Sequence, residues 1–199
     1  MTSRLLALSA VSAVVIGSSA NAAIISFNDS GLFAQFAANS GAAVATENFD
    51  AYSGPAATFS GVLGGVSWTA SASSAGGMYA DSGLMSTNNA GDTMFFDFAG
   101  GVNGVGGQFF ATDVNFNFVP SMIMVGLADG SGFIGLISSA SQWQGFWSTG
   151  PAITSISIQV MGSGNLYPTA DSISVAVVPA PGAVALLAVA GLAGARRRR

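Results

Sequence analysis

The sequence predicts an all-β domain: an antiparallel β-sandwich with a jelly-roll-like topology, flanked by an N-terminal signal helix and a short C-terminal hydrophobic helix. Two observations predict this fold class. Short segments alternate apolar with small or polar residues, which is the period of a half-buried strand. Glycine-rich turn signals separate these segments at a spacing of roughly ten residues. The stretch from residue 23 to residue 178 has the length of one domain.

One segment between the termini is predicted to be a helix. Residues 31–38 place their apolar side chains on one face, and Asp29 or Ser30 can cap the N-terminus. The remaining elements are strands. The segments that alternate or form a compact aromatic run are residues 65–72, 93–98, 114–118, 153–160 and 173–175.

Two further segments are continuous apolar runs. Residues 122–125 and 133–137 therefore predict strands that are buried more fully than the alternating ones. Asp129-Gly130 lies between them and is a strong signal for a hairpin turn, which Ser131 and Gly132 can lengthen.

Charge is distributed very unevenly along the chain. The basic residues are five arginines, Arg4 and the run 196–199, whereas all nine acids lie between Asp29 and Asp171. The predicted domain, residues 23–178, has no lysine or arginine with which to neutralise phosphates, and this excludes nucleic acid as a partner. The chain also has no histidine, cysteine or lysine. This excludes disulfides, Ser-His-Asp and Cys-His sites, nitrogen- and sulfur-ligated zinc, and P-loops.

Residues 1–22 have the three parts of a secretory signal peptide. Arg4 supplies the positive start, residues 5–16 are an apolar run, and Ala20 and Ala22 are small residues at the −3 and −1 positions of a cleavage site. This pattern predicts cleavage after Ala22, with Ala23 as the second choice. A buried N-terminal helix is the alternative interpretation.

The C-terminus has an equally ordered pattern over residues 179–199. An apolar segment, residues 183–195, follows a proline-rich break and precedes an arginine cluster. The residues of the break are Val178, Pro179, Pro181 and Gly182, and those of the cluster are Arg196, Arg197, Arg198 and Arg199. Counted from Gly182, the apolar stretch would form a helix about 21 Å long, which is short for a bilayer that needs about 20 residues. Arginine snorkelling and local thinning allow it to span, with the arginines in the cytoplasm. A core helix with a solvated basic end is the alternative.

These terminal features together resemble the PEP-CTERM sorting signal of Gram-negative bacteria. The motif reads Pro179-Ala180-Pro181 here, with alanine in place of the usual glutamate. The resemblance implies an exosortase-type processing enzyme as a partner, passage through the inner membrane, and delivery to the cell surface or extracellular matrix. The body also resembles one subset of these proteins at five short segments: residues 47–50, 86–88, 106–113, 127–130 and 168–171.

Four acidic residues are candidate calcium ligands. Asp113, Asn115 and Asn117 match the first half of a calcium loop, and on a strand they share one face that suits calcium or sugar hydroxyls. A solvated strand face is the alternative. If the first and last strands pair, Glu47, Asp50 and Asp171 converge on a second such site. The sequence requires no cofactor, and calcium is the only one that it suggests.

Tryptophan supplies the candidate glycan contacts. Trp143 and Trp147 flank a glycine in the densest aromatic segment and are able to stack on sugar rings; core packing is the alternative. The residues 104–107 are glycine-rich but lack the spacing of a phosphate loop, which indicates a tight strand contact.

No pair of acids has the spacing of a glycosidase, so the sequence assigns no catalytic residue. The predicted function is therefore that of a secreted, non-catalytic protein with a structural or adhesive role in the exopolysaccharide matrix, where it binds glycan. A carboxylate-based polysaccharide hydrolase is the first alternative. A lectin-like module for ligands from outside the matrix is the second.

Overall fold

The computed structural model describes residues 23–162 and 164–179. It confirms the predicted all-β sandwich, with antiparallel strands in two sheets. The predicted signal helix and the predicted C-terminal hydrophobic helix lie outside the described residues.

One helix and fifteen strands make up the regular structure of the described residues. In chain order they are β1 (Ile24–Phe27), α1 (Ser30–Asn39), β2 (Ala43–Glu47), β3 (Gly54–Ala56), β4 (Thr58–Leu63), β5 (Val66–Ala72), β6 (Met78–Asp81), β7 (Leu84–Thr87), β8 (Met94–Val102), β9 (Gly104–Thr112), β10 (Phe118–Val119), β11 (Ser121–Leu127), β12 (Gly132–Ile137), β13 (Trp143–Ser148), β14 (Ile153–Met161) and β15 (Tyr167–Val177). The helix has neither the length nor the apolar character of a membrane span, and the described ranges contain no other candidate.

The two sheets differ in size. Sheet A has nine strands in the order β1-β13-β9-β15-β7-β6-β3, with β10 also paired to β9 and β2 to β15. Sheet B has six strands in the order β12-β11-β14-β8-β5-β4. The chain crosses between the sheets repeatedly, for example from β8 to β9 and from β14 to β15. Strands that are distant in sequence are therefore neighbours in each sheet.

The main core lies between the two sheets. Trp68, Phe96 and Ile123 of sheet B are fully buried, and they face Phe109 and Ile173 of sheet A. The alternation seen in the sequence supplies these side chains, because every second residue of a strand points to the same face. The predicted strands at residues 65–72, 93–98, 122–125, 153–160 and 173–175 all contribute to this core.

The helix forms a third layer. As predicted, Asp29 caps it, and its carboxylate accepts a hydrogen bond of 2.8 Å from the backbone N–H of Leu32. Phe33 and Ala37 are the buried residues of α1. They cover the face of sheet A that points away from the main core.

The hairpin between β11 and β12 is confirmed with its longer loop. Gly130 has φ = 84°, a left-handed conformation that glycine adopts freely, and the N–H of Leu127 donates to the carbonyl oxygen of Ser131 at 2.8 Å. One expectation for this hairpin is wrong. Neither β11 nor β12 is fully buried, because only alternate residues of each strand face the core; Met122, Ile134 and Leu136 are exposed on the other face of sheet B.

The strand predicted at residues 114–118 is also wrong. The structure has a loop over most of this segment, and β10 begins only at Phe118. The Asp113 carboxylate causes the difference, since it accepts hydrogen bonds from the backbone N–H groups of Asn115 and Asn117 and so turns the chain. Asp113, Asn115 and Asn117 therefore do not lie along one strand face.

Candidate functional site

A pocket with a volume of about 410 Å³ lies on sheet A, on the face opposite the main core. Two rows of paired residues build it. Tyr79 of β6, Ser86 of β7 and Thr169 of β15 form the first row, and Tyr167 of β15 pairs with Thr112 of β9 in the second. The volume falls within the range that small-ligand sites occupy.

The floor of the pocket is a chain of buried hydroxyl groups. The Oγ1 atoms of Thr112 and Thr169 are 2.8 Å apart, and Thr169 donates to Ser86 Oγ at 3.1 Å. Ser86 in turn donates to the carbonyl oxygen of Pro168 at 3.1 Å. Because these buried groups satisfy one another, the floor is stable without a ligand.

The loop of residues 113–117 forms one wall. Asp113 Oδ1 accepts from the backbone N–H of Asn115 at 2.8 Å and of Asn117 at 2.9 Å, and Oδ2 accepts from Asn117 Nδ2 at 3.0 Å. The bonds from Asn117, followed by the bond from Asn115, lower the pKa of Asp113 below its ordinary value. Asp113 is therefore a carboxylate at neutral pH.

Aromatic rings supply the apolar surface of the pocket. Phe116 and Tyr79 contact each other with ring centroids 5.7 Å apart and planes inclined at 39°. Tyr167 is a third lining ring, and all three are only partly buried. Phe116 has φ = 61°, a left-handed conformation that is costly for a bulky residue. This backbone places an aromatic side chain at the pocket, where a strained residue is a common mark of function.

Polar side chains complete the lining. Asp81, Asn88 and Asn115 all border the pocket, and Thr87 lies at its inner end. Thr87 Oγ1 donates to the carbonyl oxygen of Asn89 at 2.9 Å, so its hydroxyl proton is already used. The pocket therefore offers carboxylate and amide groups beside three aromatic rings.

The structure places Trp143 and Trp147 in the interior, which corrects their prediction as glycan contacts. Only 8% of Trp143 and 5% of Trp147 is exposed. The helix covers them, with Phe33 at a centroid distance of 5.1 Å from Trp143 and Phe36 at 5.3 Å from Trp147. No indole face is open to a sugar ring, and the packing explanation holds for both residues.

Two of the predicted calcium ligands, Asp50 and Asp171, approach each other. The last strand, β15, pairs with β2 and not with the first strand, β1, which pairs with β13. Glu47 of β2 lies opposite Ile173 of β15, and Asp50 follows in the adjoining turn. Burial, and then the charge of Asp50, raise the pKa of Asp171 above its ordinary value. Asp50 and Asp171 are thus close enough to repel each other.

The turn that holds Asp50 is anchored by a buried aromatic residue. Phe49 has φ = 61° and stacks on Phe96 in the main core, with centroids 5.9 Å apart. Its backbone N–H donates to Glu47 Oε1 at 3.1 Å, and Asn48 Nδ2 donates to Asp50 Oδ2 at 2.5 Å. The acids of this turn are therefore positioned by the core and by one another.

A single calcium site that includes all four acids is not formed. Asp113 follows the end of β9, where Thr112 pairs with Tyr167. Asp171 lies instead at the β-bulge of β15, next to the residue that pairs with Gln108. Within residues 23–162 and 164–179, no group of three or more acidic side chains is arranged to hold a metal ion. The Asp113 carboxylate accepts hydrogen bonds from Asn115 and Asn117 of its own loop, which explains why residues 113–117 resemble a calcium loop without forming one.

Most of the predicted sorting residues lie outside the described residues. Within the structure, the N–H of Val178 donates to Asn103 Oδ1 at 2.9 Å, and Pro179 is exposed after it. The sorting and cleavage residues beyond the described part of the chain are Ala20, Ala22, Pro181, Gly182, Arg196, Arg197, Arg198 and Arg199.

Sequence reasoning missed the aromatic part of the pocket. No sequence pattern singles out Tyr79 or Tyr167, and the alternation of residues 114–118 predicts Phe116 on the apolar face of a strand. Tyr79 and Asp81 do alternate on one short strand, which is a signal of a shared face. Tyr167 lies 88 residues after Tyr79 in the chain. Only the order of strands in sheet A, where β7 lies between β6 and β15, brings the two residues close together.

The chain was compared with protein-family models, with curated proteins and with solved structures, and none of them matches it.

Proposed function

We propose that this protein is a secreted, non-catalytic glycan-binding protein of the cell surface or exopolysaccharide matrix, and that the pocket on sheet A is its binding site. The observation that carries the proposal is the combination of three aromatic rings with two carboxylates and two amides around one cavity. The apolar face of a sugar ring packs on aromatic rings, while its hydroxyls donate to carboxylates and exchange hydrogen bonds with amides.

The rigidity of the site supports binding further. The hydroxyl floor is internally bonded, and the hydrogen bonds of Asp113 hold the wall in its turn. A site that is ordered before the ligand arrives loses less conformational entropy on binding.

The ionisation of Asp113 argues against a role of this residue as the general acid of a hydrolase. A glycosidase needs one carboxyl group that stays protonated as the general acid, and its pKa must be raised. Hydrogen bonds lower the pKa of Asp113 instead. Asp171, whose pKa is raised, does not line the pocket.

Secretion and sorting are part of the same proposal. The signal-like residues 1–22 direct the chain through the inner membrane, and an exosortase-type enzyme processes the segment 179–199. Mass spectrometry of the protein recovered from the culture medium tests both steps. We expect an N-terminus at Ala23 and loss of the terminal arginines, and replacement of Arg196 to Arg199 by serine should retain the protein in the cell. Recovery of the intact chain would contradict the proposal.

Binding is tested by mixing the full chain with the exopolysaccharide of the producing organism. We expect the protein to sediment with the polysaccharide without releasing soluble sugar. Asp81→Asn, which removes one pocket charge without changing the size of the side chain, should weaken sedimentation. Asp97→Asn is the matched control, because Asp97 is exposed on β8 of the other sheet. Release of sugar would support the hydrolase instead, and binding only to foreign glycans would support the lectin-like alternative.

A further inference from the structure

We propose that the pocket selects glycans that carry a free, protonated amine, such as polymers of glucosamine, over neutral and acidic glycans. The inference rests on the proposed function, because it names the ligand class of the same pocket. Its basis is the charge of the lining, the acceptor capacity of its two carboxylates, and the arrangement of its rings.

The electrostatic environment of the pocket has one sign. Asp81 and Asp113 line it, and every charged side chain between residues 23 and 179 is negative. No lysine or arginine of this range is available to pair with a uronate or sulfate group. An anionic glycan would therefore meet only repulsion, whereas a cationic one is attracted throughout its approach.

The carboxylates have acceptor sites to spare. An ionised carboxylate offers about four acceptor positions, and the loop fills three of those of Asp113, which leaves one on Oδ2. In the described part of the chain, the Asp81 carboxylate accepts no hydrogen bond. An ammonium group carries three donors and no acceptor, so it can donate hydrogen bonds to the unfilled acceptor positions of Asp81 and Asp113. Charge-assisted bonds of this kind are roughly twice as strong as neutral ones.

The aromatic rings strengthen the same preference. Tyr79, Phe116 and Tyr167 surround the cavity, and the first two are inclined to each other with a centroid distance of 5.7 Å. A cation within about 6 Å of a ring face is attracted by the ring quadrupole. Rings combined with carboxylates are thus suited to an amino sugar, whose apolar C–H face packs on an aromatic ring while the ammonium group at its edge reaches a carboxylate.

Calorimetric titration of the full chain with three oligosaccharides of equal length tests the inference. These are an oligomer of glucosamine, an oligomer of N-acetylglucosamine and an oligomer of galacturonic acid, compared at a pH at which the amine is protonated. We expect the glucosamine oligomer to bind about tenfold more tightly than its acetylated counterpart, and the acidic oligomer not to bind. Asp81→Asn should lower the affinity for the glucosamine oligomer more than the affinity for the acetylated oligomer, so that the tenfold preference narrows, and Asp97→Asn should leave both affinities unchanged.

The outcomes separate this inference from the proposed function. Equal affinity for the acetylated and free-amine oligomers would overturn the amine preference and leave glycan binding in place. Failure of all three oligomers and of the native exopolysaccharide to bind would overturn both. Choline is a further probe, because it presents an ammonium group without a sugar. Binding of choline as tight as that of the glucosamine oligomer would overturn the assignment to amino sugars.

Discussion

Gly106 of β9 lies directly beneath the indole of Trp143. A Cβ atom at this position would overlap the Trp143 ring and would lie 2.9 Å from the carbonyl oxygen of Gln144. The absence of a side chain at Gly106 therefore lets the tryptophan pack flat against the sheet beneath α1.

Gly106→Ala is expected to destabilise the protein by about 1–3 kcal/mol, because the indole or the strand must shift to make room. Chemical denaturation measures the free energy of unfolding. Gly164→Ala is the control, since a Cβ atom there meets only Leu166 at an ordinary distance of 3.5 Å. An equal effect of the two substitutions would show that the contact with Trp143 does not limit the position.

Trp143→Ala should lower the free energy of unfolding by about 3–5 kcal/mol, as expected for loss of a large buried aromatic side chain. The milder variant Trp143→Phe keeps an aromatic ring under α1 and should retain full glycan affinity. Denaturation and glycan titration of both variants measure these effects. Loss of glycan affinity in a stable Trp143→Phe protein would restore this tryptophan as a ligand contact.

Phe116→Gly should reduce glycan affinity at least tenfold while changing the free energy of unfolding by no more than about 1 kcal/mol. The ring is lost from the pocket, but glycine relieves the left-handed strain at φ = 61°. Phe49→Gly is a matched control, because Phe49 has the same φ but is fully buried. It should cost about 3–5 kcal/mol. A similar loss of stability in both variants would show that Phe116 serves folding and not binding.

Asp171→Asn should raise the unfolding midpoint at neutral pH. The pKa of Asp171 is raised above 3.8 in the folded protein, first by burial and then by Asp50. The folded state thus holds the proton more tightly, so the resulting stability is complete below about pH 3.8 and is lost as the pH rises through the raised pKa. The advantage of asparagine should disappear at the acidic end of a pH series. A pKa at or below 3.8 in an NMR titration of Asp171 would contradict this explanation.

Calcium is expected to stabilise the protein no more than sodium chloride of equal ionic strength. The nine acids of the body repel one another, and either salt screens that repulsion. Thermal melts in calcium, in chelator and in matched sodium chloride make the comparison. A larger shift with calcium that disappears in Asp171→Asn would establish a specific site at Asp50 and Asp171.

Much of the fold was accessible from local patterns. The alternation in residues 65–72 and 153–160 depends on the two-residue period of a strand, and the Asp129-Gly130 turn depends on the conformational freedom of glycine. Asp29 could be recognised as a helix cap for the same local reason. The loop after β9 escaped prediction because residues 114–118 alternate like a strand, whereas the carboxylate of Asp113 offers the backbone a competing set of hydrogen bonds.

The sequence by itself determined the strands at residues 65–72, 93–98 and 153–160, where the helix begins, and that residues 23–178 contain no lysine or arginine. Only the tertiary structure decided what the aromatic residues do. Trp143 and Trp147 are buried because α1 folds over their strand, and Tyr79, Phe116 and Tyr167 meet at one cavity because β6, β7, β15 and β9 lie side by side. The physical reason is that strand propensity acts over neighbouring residues, whereas the order of strands in a sheet follows from burying all the apolar faces at once.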